Sequence, residues 1–384
     1  MNKRSEIFYS LLYATLICGI GIFSFLRPYY NWDLLGYVGT TLSIEEHNAE
    51  ILHQKTYTYV KNSIPEQNYA SLIANDNSYR TLTATDPKFF AEQLHYYTIR
   101  PLYIAMLFIL YKMGMNIVQA TLAISIISCA LVCTLVRIWL LKYTVGIANL
   151  VSCSLLVMVS GILEAARLST PDALSAVFIL AGTYLFIEKR KFLPAWICFL
   201  LSTATRVDNV IFIIIYAVYF RYFSAEEIRR GKKLFTYLIT SSLLLSAGIL
   251  YVFGGHSPEF FFPNNYHWQE QAAPHSMILR IVTNYLVSTA VSIKQVVFDG
   301  YSNAVLLFVG LGMLNLYHVY RKNAENNLLQ QLSFIALLAI AGRLLVFPVV
   351  ANRFFIPYYI MIGIAFAADQ FRRPQPAETL NAIS

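Results

Sequence analysis

Seven charged residues stand beside or inside apolar runs, where charge is costly: Asp33, Glu164, Arg167, Asp172, Arg206, Arg343 and Arg353. Charge in such places faces a protein-lined or wet cavity and points to function. Asp33 ends the stretch Arg27-Pro28-Tyr29-Tyr30-Asn31-Trp32-Asp33, directly after the first apolar run. Arg27 and the aromatic rings suit a lipid headgroup layer, whereas Asp33 suits neither lipid nor anchoring. Glu164, Arg167 and Asp172 bracket the turn 164–172, Arg206 and Asp208 share Thr205-Arg206-Val207-Asp208-Asn209, and Arg343 and Arg353 flank Phe347-Pro348. A carboxylate can take the proton from an attacking hydroxyl, and arginine grips phosphate with a planar fork of donors. Together these groups suit a substrate that joins an anionic lipid phosphate to a neutral acceptor.

Each residue also has a plainer role open to it. Asp172 follows Thr170-Pro171 and would favour the positive end of a helix dipole. Glu164 could pair with Arg167 one turn on, and Arg206 with Asp208 across a short loop. Arg353 would serve as an interfacial anchor. Tyr29, Tyr30, Trp32, Tyr96, Tyr97 and Trp268 fit a membrane-interface belt, although aromatic faces beside a carboxylate also suit a sugar. The histidines at 47, 53, 95, 256, 267 and 275 match no zinc motif.

The elements that must position these groups are apolar helices. With 57% apolar and only 13% charged residues, and a mean hydropathy of +0.53, the composition excludes an ordinary soluble globular chain. Apolar runs of membrane-spanning length recur from end to end, so the expected class is an all-α polytopic membrane protein. The first run, 7–26, follows Lys3 and Arg4 and has no small-residue cleavage site after it, which reads as a retained signal anchor. The net charge of +8 needs no nucleic acid to explain it, because the basic residues collect on one side of the spans. All five cysteines lie in apolar runs, so no loop disulfide framework is indicated.

About ten spans are expected, near 7–26, 117–141, 145–164, 172–187, 191–205, 208–223, 234–254, 299–320, 329–350 and 354–370. The run 100–113 is too short to cross. Treating it as non-spanning puts Arg137/Lys142, the cluster 188–191, the cluster 229–233, Arg321/Lys322 and Arg372/Arg373 on the side of Lys3/Arg4. Both termini are then cytoplasmic, and the candidate residues share the outer face. The whole chain, 1–384, reads as one transmembrane domain whose outer loops, 27–116 and 255–298, form a cap. Within the first loop, 36–61 is expected to form one or two interfacial helices, and the polar stretch 62–86 to be loop.

This layout resembles the GT-C superfamily of integral-membrane glycosyltransferases. The likeness rests on an early Asp in the first outer loop (Asn31-Trp32-Asp33), a juxtamembrane Arg100-Pro101-Leu102-Tyr103, the turn Ala166-Arg167-Leu168-Ser169-Thr170-Pro171-Asp172, and Thr205-Arg206-Val207-Asp208-Asn209. It covers roughly residues 1–225. The resemblance implies a polyprenyl-phosphate-linked sugar donor and a glycan, lipid or protein acceptor. It makes Asp33 the catalytic carboxylate and Asp172, with Glu164 beside it, the acid that binds acceptor or metal. Arg206, Arg353, Arg343 and Arg167 are then the candidate grips for the donor phosphate. Asp33 has no acidic neighbour before Glu45 and the second turn holds a lone Asp172, so a divalent Mg or Mn would find few oxygen ligands. The location implied is a bacterial cytoplasmic (inner) membrane, multi-pass, with the site facing the periplasm. Two other functions share the cavity and the arginines: a flippase or transporter of a lipid-linked sugar, and a membrane glycan polymerase.

Overall fold

A computed structural model describes residues 3–73, 78–223, 232–254, 277–297, 303–321 and 328–371. Among the described residues the chain is almost wholly helical. In order come α1 (Lys3–Leu26), α2 (Asp33–Leu42), α3 (Ala49–Lys61), α4 (Glu66–Ile73), α5 (Ser78–Thr85), α6 (Pro87–Gln93), α7 (His95–Thr98) and α8 (Pro101–Lys112). The bundle then follows with α9 (Ile117–Leu140), α10 (Gly146–Val159), α11 (Ile162–Arg167), α12 (Asp172–Ile187), α13 (Phe192–Thr205) and α14 (Val210–Tyr222). It ends with α15 (Lys232–Phe253), α16 (Met277–Val297), α17 (Asn303–Arg321), α18 (Leu328–Val346) and α19 (Ile356–Gln370).

Among the described residues, three helices are long and apolar enough to cross a membrane by length and composition: Arg4–Leu26 within α1, α9 and α15. At about 1.5 Å rise per residue their 22 to 24 residues reach roughly 33–36 Å, enough for a hydrocarbon core of about 30 Å. α1 leaves Ile7, Phe8, Leu11, Ile22, Phe25 and Leu26 exposed, an apolar surface suited to lipid. Its inner side is fixed by Tyr13, whose hydroxyl donates to the Cys133 carbonyl of α9 at 2.9 Å.

The other expected spans coincide with shorter helices that stop early for local reasons. The stretch 145–164 is divided at Ser160 and Gly161. Gly161 takes φ +84, which suits glycine, and the chain restarts as α11. α18 ends at Val346, two residues before Pro348. α8 has 12 residues and reaches only about 18 Å, close to the 13 residues of α14 and the 14 of α10 and α13.

Two stretches differ from expectation. Residues 62–86, expected as loop, carry α4 and α5. Their polar composition conceals a narrow apolar face: Leu72 is buried, with Tyr69 and Ile73 packed beside it. The outer loop expected over 255–298 contains the 21-residue helix α16. Its apolar and polar residues alternate at helical spacing, with Tyr285 donating to the Leu345 carbonyl at 2.9 Å and Ser292 to the Pro348 carbonyl. His256, His267, His275 and Trp268 lie outside the described residues.

Among the described residues three apolar cores organise the molecule. The largest joins α9, α12, α13, α14, α17, α18 and α19 through Trp139, Ile179, Phe199, Phe212, Tyr216, Phe308, Ile335 and Tyr359. A second lies within the segment 27–116, where Leu34, Val38, Leu52, Val60, Phe90 and Leu94 pack on Ile117 and Val118 at the start of α9. The third, Tyr37, Tyr97, Tyr103, Leu107, Ile124 and Leu174, joins that segment to α12. The site lies where the segment and the bundle meet.

Candidate active site

Two turns are clipped together first. The Tyr29 N–H donates to the Arg167 carbonyl at 2.9 Å, and Tyr29 and Leu168 form an isolated parallel bridge. Arg167 closes the clip, its Nε donating to the Arg27 carbonyl at 2.6 Å while its guanidinium lies over Phe23. α9 supports the second turn from below: Ser125 donates to the Leu168 carbonyl at 2.7 Å, and the Thr121 hydroxyl to Ser169 at 3.0 Å. Asp33 and Asp172 each follow their bridge residue by four positions. The same register therefore carries both acids to one place, at the first residues of α2 and α12.

There they meet three arginines from other parts of the chain. Arg353 donates from Nη2 to Asp33 Oδ2 at 3.0 Å, and its Nε lies 3.4 Å from Asp172 Oδ2. Arg206 pairs with Asp172 Oδ1 through Nη1 and grips Asp208 with a two-pronged fork, both prongs at 3.0 Å. Arg343 pairs with Asp208 Oδ2. The result is a continuous chain, Asp33–Arg353–Asp172–Arg206–Asp208–Arg343, with three charges of each sign. Its hub is Phe354: the Arg343, Arg206 and Arg353 guanidiniums lie 4.4, 4.6 and 5.1 Å from its ring centroid.

Helix ends explain why these residues can stay there. Asp33 and Asp172 occupy first turns, where the helix dipole favours an anion, and Arg343 lies in the last turn of α18, where it favours a cation. Arg206 is the C-cap of α13, and Arg353 sits in the short 3-10 turn Asn352–Phe354 before α19. Burial, then the neighbouring Arg100 and Arg353 cations, push the Arg206 guanidinium downward from its ordinary value. Its ion pairs with Asp172 and Asp208 supply the partners that a buried charge requires.

The network is graded in exposure. The Asp172, Arg343 and Arg206 side chains are 2%, 7% and 9% exposed, against 18% for Arg353 and 25% for Asp33. Asp33 is therefore its open end. Asn31 Nδ2 donates to Asp33 Oδ2 at 2.6 Å, and the Tyr97 hydroxyl donates to Oδ1 at 3.4 Å. The Tyr97 ring packs edge-on against Tyr37, and the Arg100 guanidinium lies 5.6 Å and 5.7 Å from those two rings.

The structure thus brings together Asp33, Asp172, Arg206, Arg343 and Arg353. Arg167 stays with the Arg27 carbonyl and Phe23, so neither a pair with Glu164 nor a place in the network forms. Glu164 lies on α11 beyond the end of α10 and is half-buried there. Asp208 had only a pairing role in the sequence, and Asn31, Tyr97 and Phe354 had none beyond their aromatic or loop character. Only the two-residue spacing of Asn31 from Asp33 hinted at contact. No sequence signal marks one ring as the seat of three arginines.

A divalent cation does not fit these residues. Both Asp172 oxygens go to guanidiniums, and so do both Asp208 oxygens. Among the described residues no group of three or more His, Cys, Asp or Glu side chains is placed to hold a metal. Comparison with known proteins adds no assignment: no family model, no curated protein and no solved structure matches the chain.

Proposed function

We propose that the chain is a membrane glycosyltransferase of the GT-C kind. It moves a sugar from a polyprenyl-phosphate donor to a glycan or lipid acceptor at the outer membrane face. The observation that carries this reading is the Asp33–Arg353 contact, in which the most open carboxylate and the most open guanidinium of the network stand side by side. Asp33 is the general base: it takes the proton of the acceptor hydroxyl as that oxygen attacks the anomeric carbon. The bond from that carbon to the phosphate oxygen breaks with inversion, and polyprenyl phosphate leaves as an anion, so no strong general acid is needed. Arg353 meets the developing phosphate charge, with Arg206 and Arg343 behind it. Asp172 keeps Arg206 and Arg353 in place. No step calls on a metal.

The test uses purified protein in liposomes with a panel of polyprenyl-phosphate sugars, following release of polyprenyl phosphate. Wild type turns over one of the donors, and a folded Asp33→Asn protein loses that turnover by roughly a hundredfold or more, the range of a missing general base. Turnover that persists in Asp33→Asn removes Asp33 from the chemistry. Donor that moves between leaflets without being cleaved makes the protein a transporter of lipid-linked sugars.

A further inference from the structure

We propose that the donor phosphate binds by carboxylate exchange: it takes the place of Asp33 on Arg353 and thereby frees Asp33 to act as base. This rests on the transferase reading for its last step only. The exchange itself is a binding event.

The geometry selects this pair out of the network. Arg206 has Nη1 on Asp172 and both Nε and Nη2 on Asp208, and it is buried. To offer any of these donors to a ligand it would have to abandon Asp172, 2% exposed, or Asp208, 12% exposed, both less open than Asp33. Arg343 is buried too, held at Asp208, with its Nε lacking a partner among the described residues. Arg353 differs. Its Nη2 is on the open carboxylate, while its Nε faces the closed one, Asp172. If Nη2 is released, Nε and the Phe354 ring still hold the guanidinium where it is. The arginine need not swing; only the anion in front of it changes. Carboxylate and phosphate oxygens accept the same N–H in the same plane, so the two compete directly.

Asp33 is likewise kept in place after the exchange. Asn31 and the Tyr97 hydroxyl remain on its two oxygens, and both are neutral donors. Freed of the guanidinium, the carboxylate has lone pairs to offer the acceptor hydroxyl, beside the phosphate that has just arrived. The resting network, with equal positive and negative charge, thus keeps its base occupied until a donor is bound.

The probes are a short-chain prenyl phosphate and, separately, inorganic phosphate, titrated at fixed ionic strength into purified full-length protein in nanodiscs. Arg353→Gln weakens prenyl phosphate binding, and Arg353→Lys weakens it less, because the ammonium keeps the positive charge but not the planar fork of donors. Asp33→Asn tightens binding by roughly threefold or more, since the competitor is gone, and that gain vanishes in Asp33→Asn/Arg353→Gln. A gain that survives without Arg353 is general charge repulsion and overturns the exchange. So does an Asp33→Asn protein that binds as wild type does or more weakly. Thermal unfolding of each variant identifies any that has lost its fold, and Asp33→Asn with Arg353→Lys then carries the comparison. Prenyl phosphate binding alone assigns the anion to a lipid headgroup; equal binding of inorganic phosphate assigns it to free phosphate. Sugar transfer lost in Asp33→Asn with unchanged affinity would sink the exchange and leave the transferase standing. The exchange signature without transfer from any donor would do the reverse.

Discussion

Asp172 gives both carboxylate oxygens to guanidiniums and its side chain is 2% exposed, so its charge has no route to water. Removing one partner of such a pair leaves the other buried and uncompensated, at a cost of about 3–5 kcal/mol. Arg206→Met and Asp172→Asn are therefore expected to lower the thermal unfolding midpoint strongly. Arg353→Gln leaves Asp172 its Arg206 partner and acts at the more open end of the network, so it should shift the midpoint less than Arg206→Met while impairing function. Equal midpoints for Arg206→Met and Arg353→Gln would show that the network is not graded as described.

Short elements carry the precision of the site. α2 brings Asp33 into place only because Gly36 allows the Tyr97 ring to lie against its backbone: a Cβ there would come within 2.2 Å of that ring. Gly36→Ala must displace the ring and take the Tyr97 hydroxyl away from Asp33. The overpacking costs about 1–3 kcal/mol, whereas Tyr97→Phe removes the hydroxyl and leaves the packing intact. The expected pattern is impaired transfer in both, with a clear drop in midpoint only for Gly36→Ala, read by thermal unfolding beside the donor assay. A Gly36→Ala protein as stable as wild type would mean the ring has room to move. The sequence told much of this scale. The early Asp, the turn 164–172 and Arg206 with Asp208 were visible as charges in apolar surroundings, and the run 100–113 was visible as a short apolar helix. Hidden from it was the pairing, because the Tyr29–Leu168 bridge and the Phe354 hub join residues far apart in the chain. The same limit concealed α4 and α5, whose helical faces are defined only by what the rest of the first segment packs on them.

At the scale of the whole molecule, helix length and site position are linked. The charge network gathers where helices stop: α12 and α2 begin there, α13 and α18 end there, and α19 begins just beyond. In a membrane, backbone that leaves the helix is tolerated only where protein or a wet cavity surrounds it, and the paired aspartates and arginines would provide such surroundings. Helices that stop at a shared site are shorter than free-standing spans, so among the described residues three are long and apolar enough to cross, whereas the apolar runs and charge parity of the sequence point to ten. The two counts make different predictions for one residue. With ten crossings, Lys189 and Arg321 both face the cytoplasm. With only the three long helices crossing, Lys189 faces the cytoplasm and Arg321 the outside. If α8 also crossed, in addition to the ten, both would face outside. Thr85→Cys, Lys189→Cys and Arg321→Cys, each exposed, can be placed one at a time in a chain whose native cysteines are replaced, and labelled with an impermeant maleimide in intact cells. The expected result is labelling of Thr85→Cys alone, with the other two reacting only after permeabilisation. Labelling of Arg321→Cys from outside while Lys189→Cys stays protected would overturn the count of ten and agree with three. Three crossings would place α18, which carries Arg343, and the 3-10 turn that carries Arg353 outside the bilayer, and the site would then have to be read as one that meets its lipid from the surface.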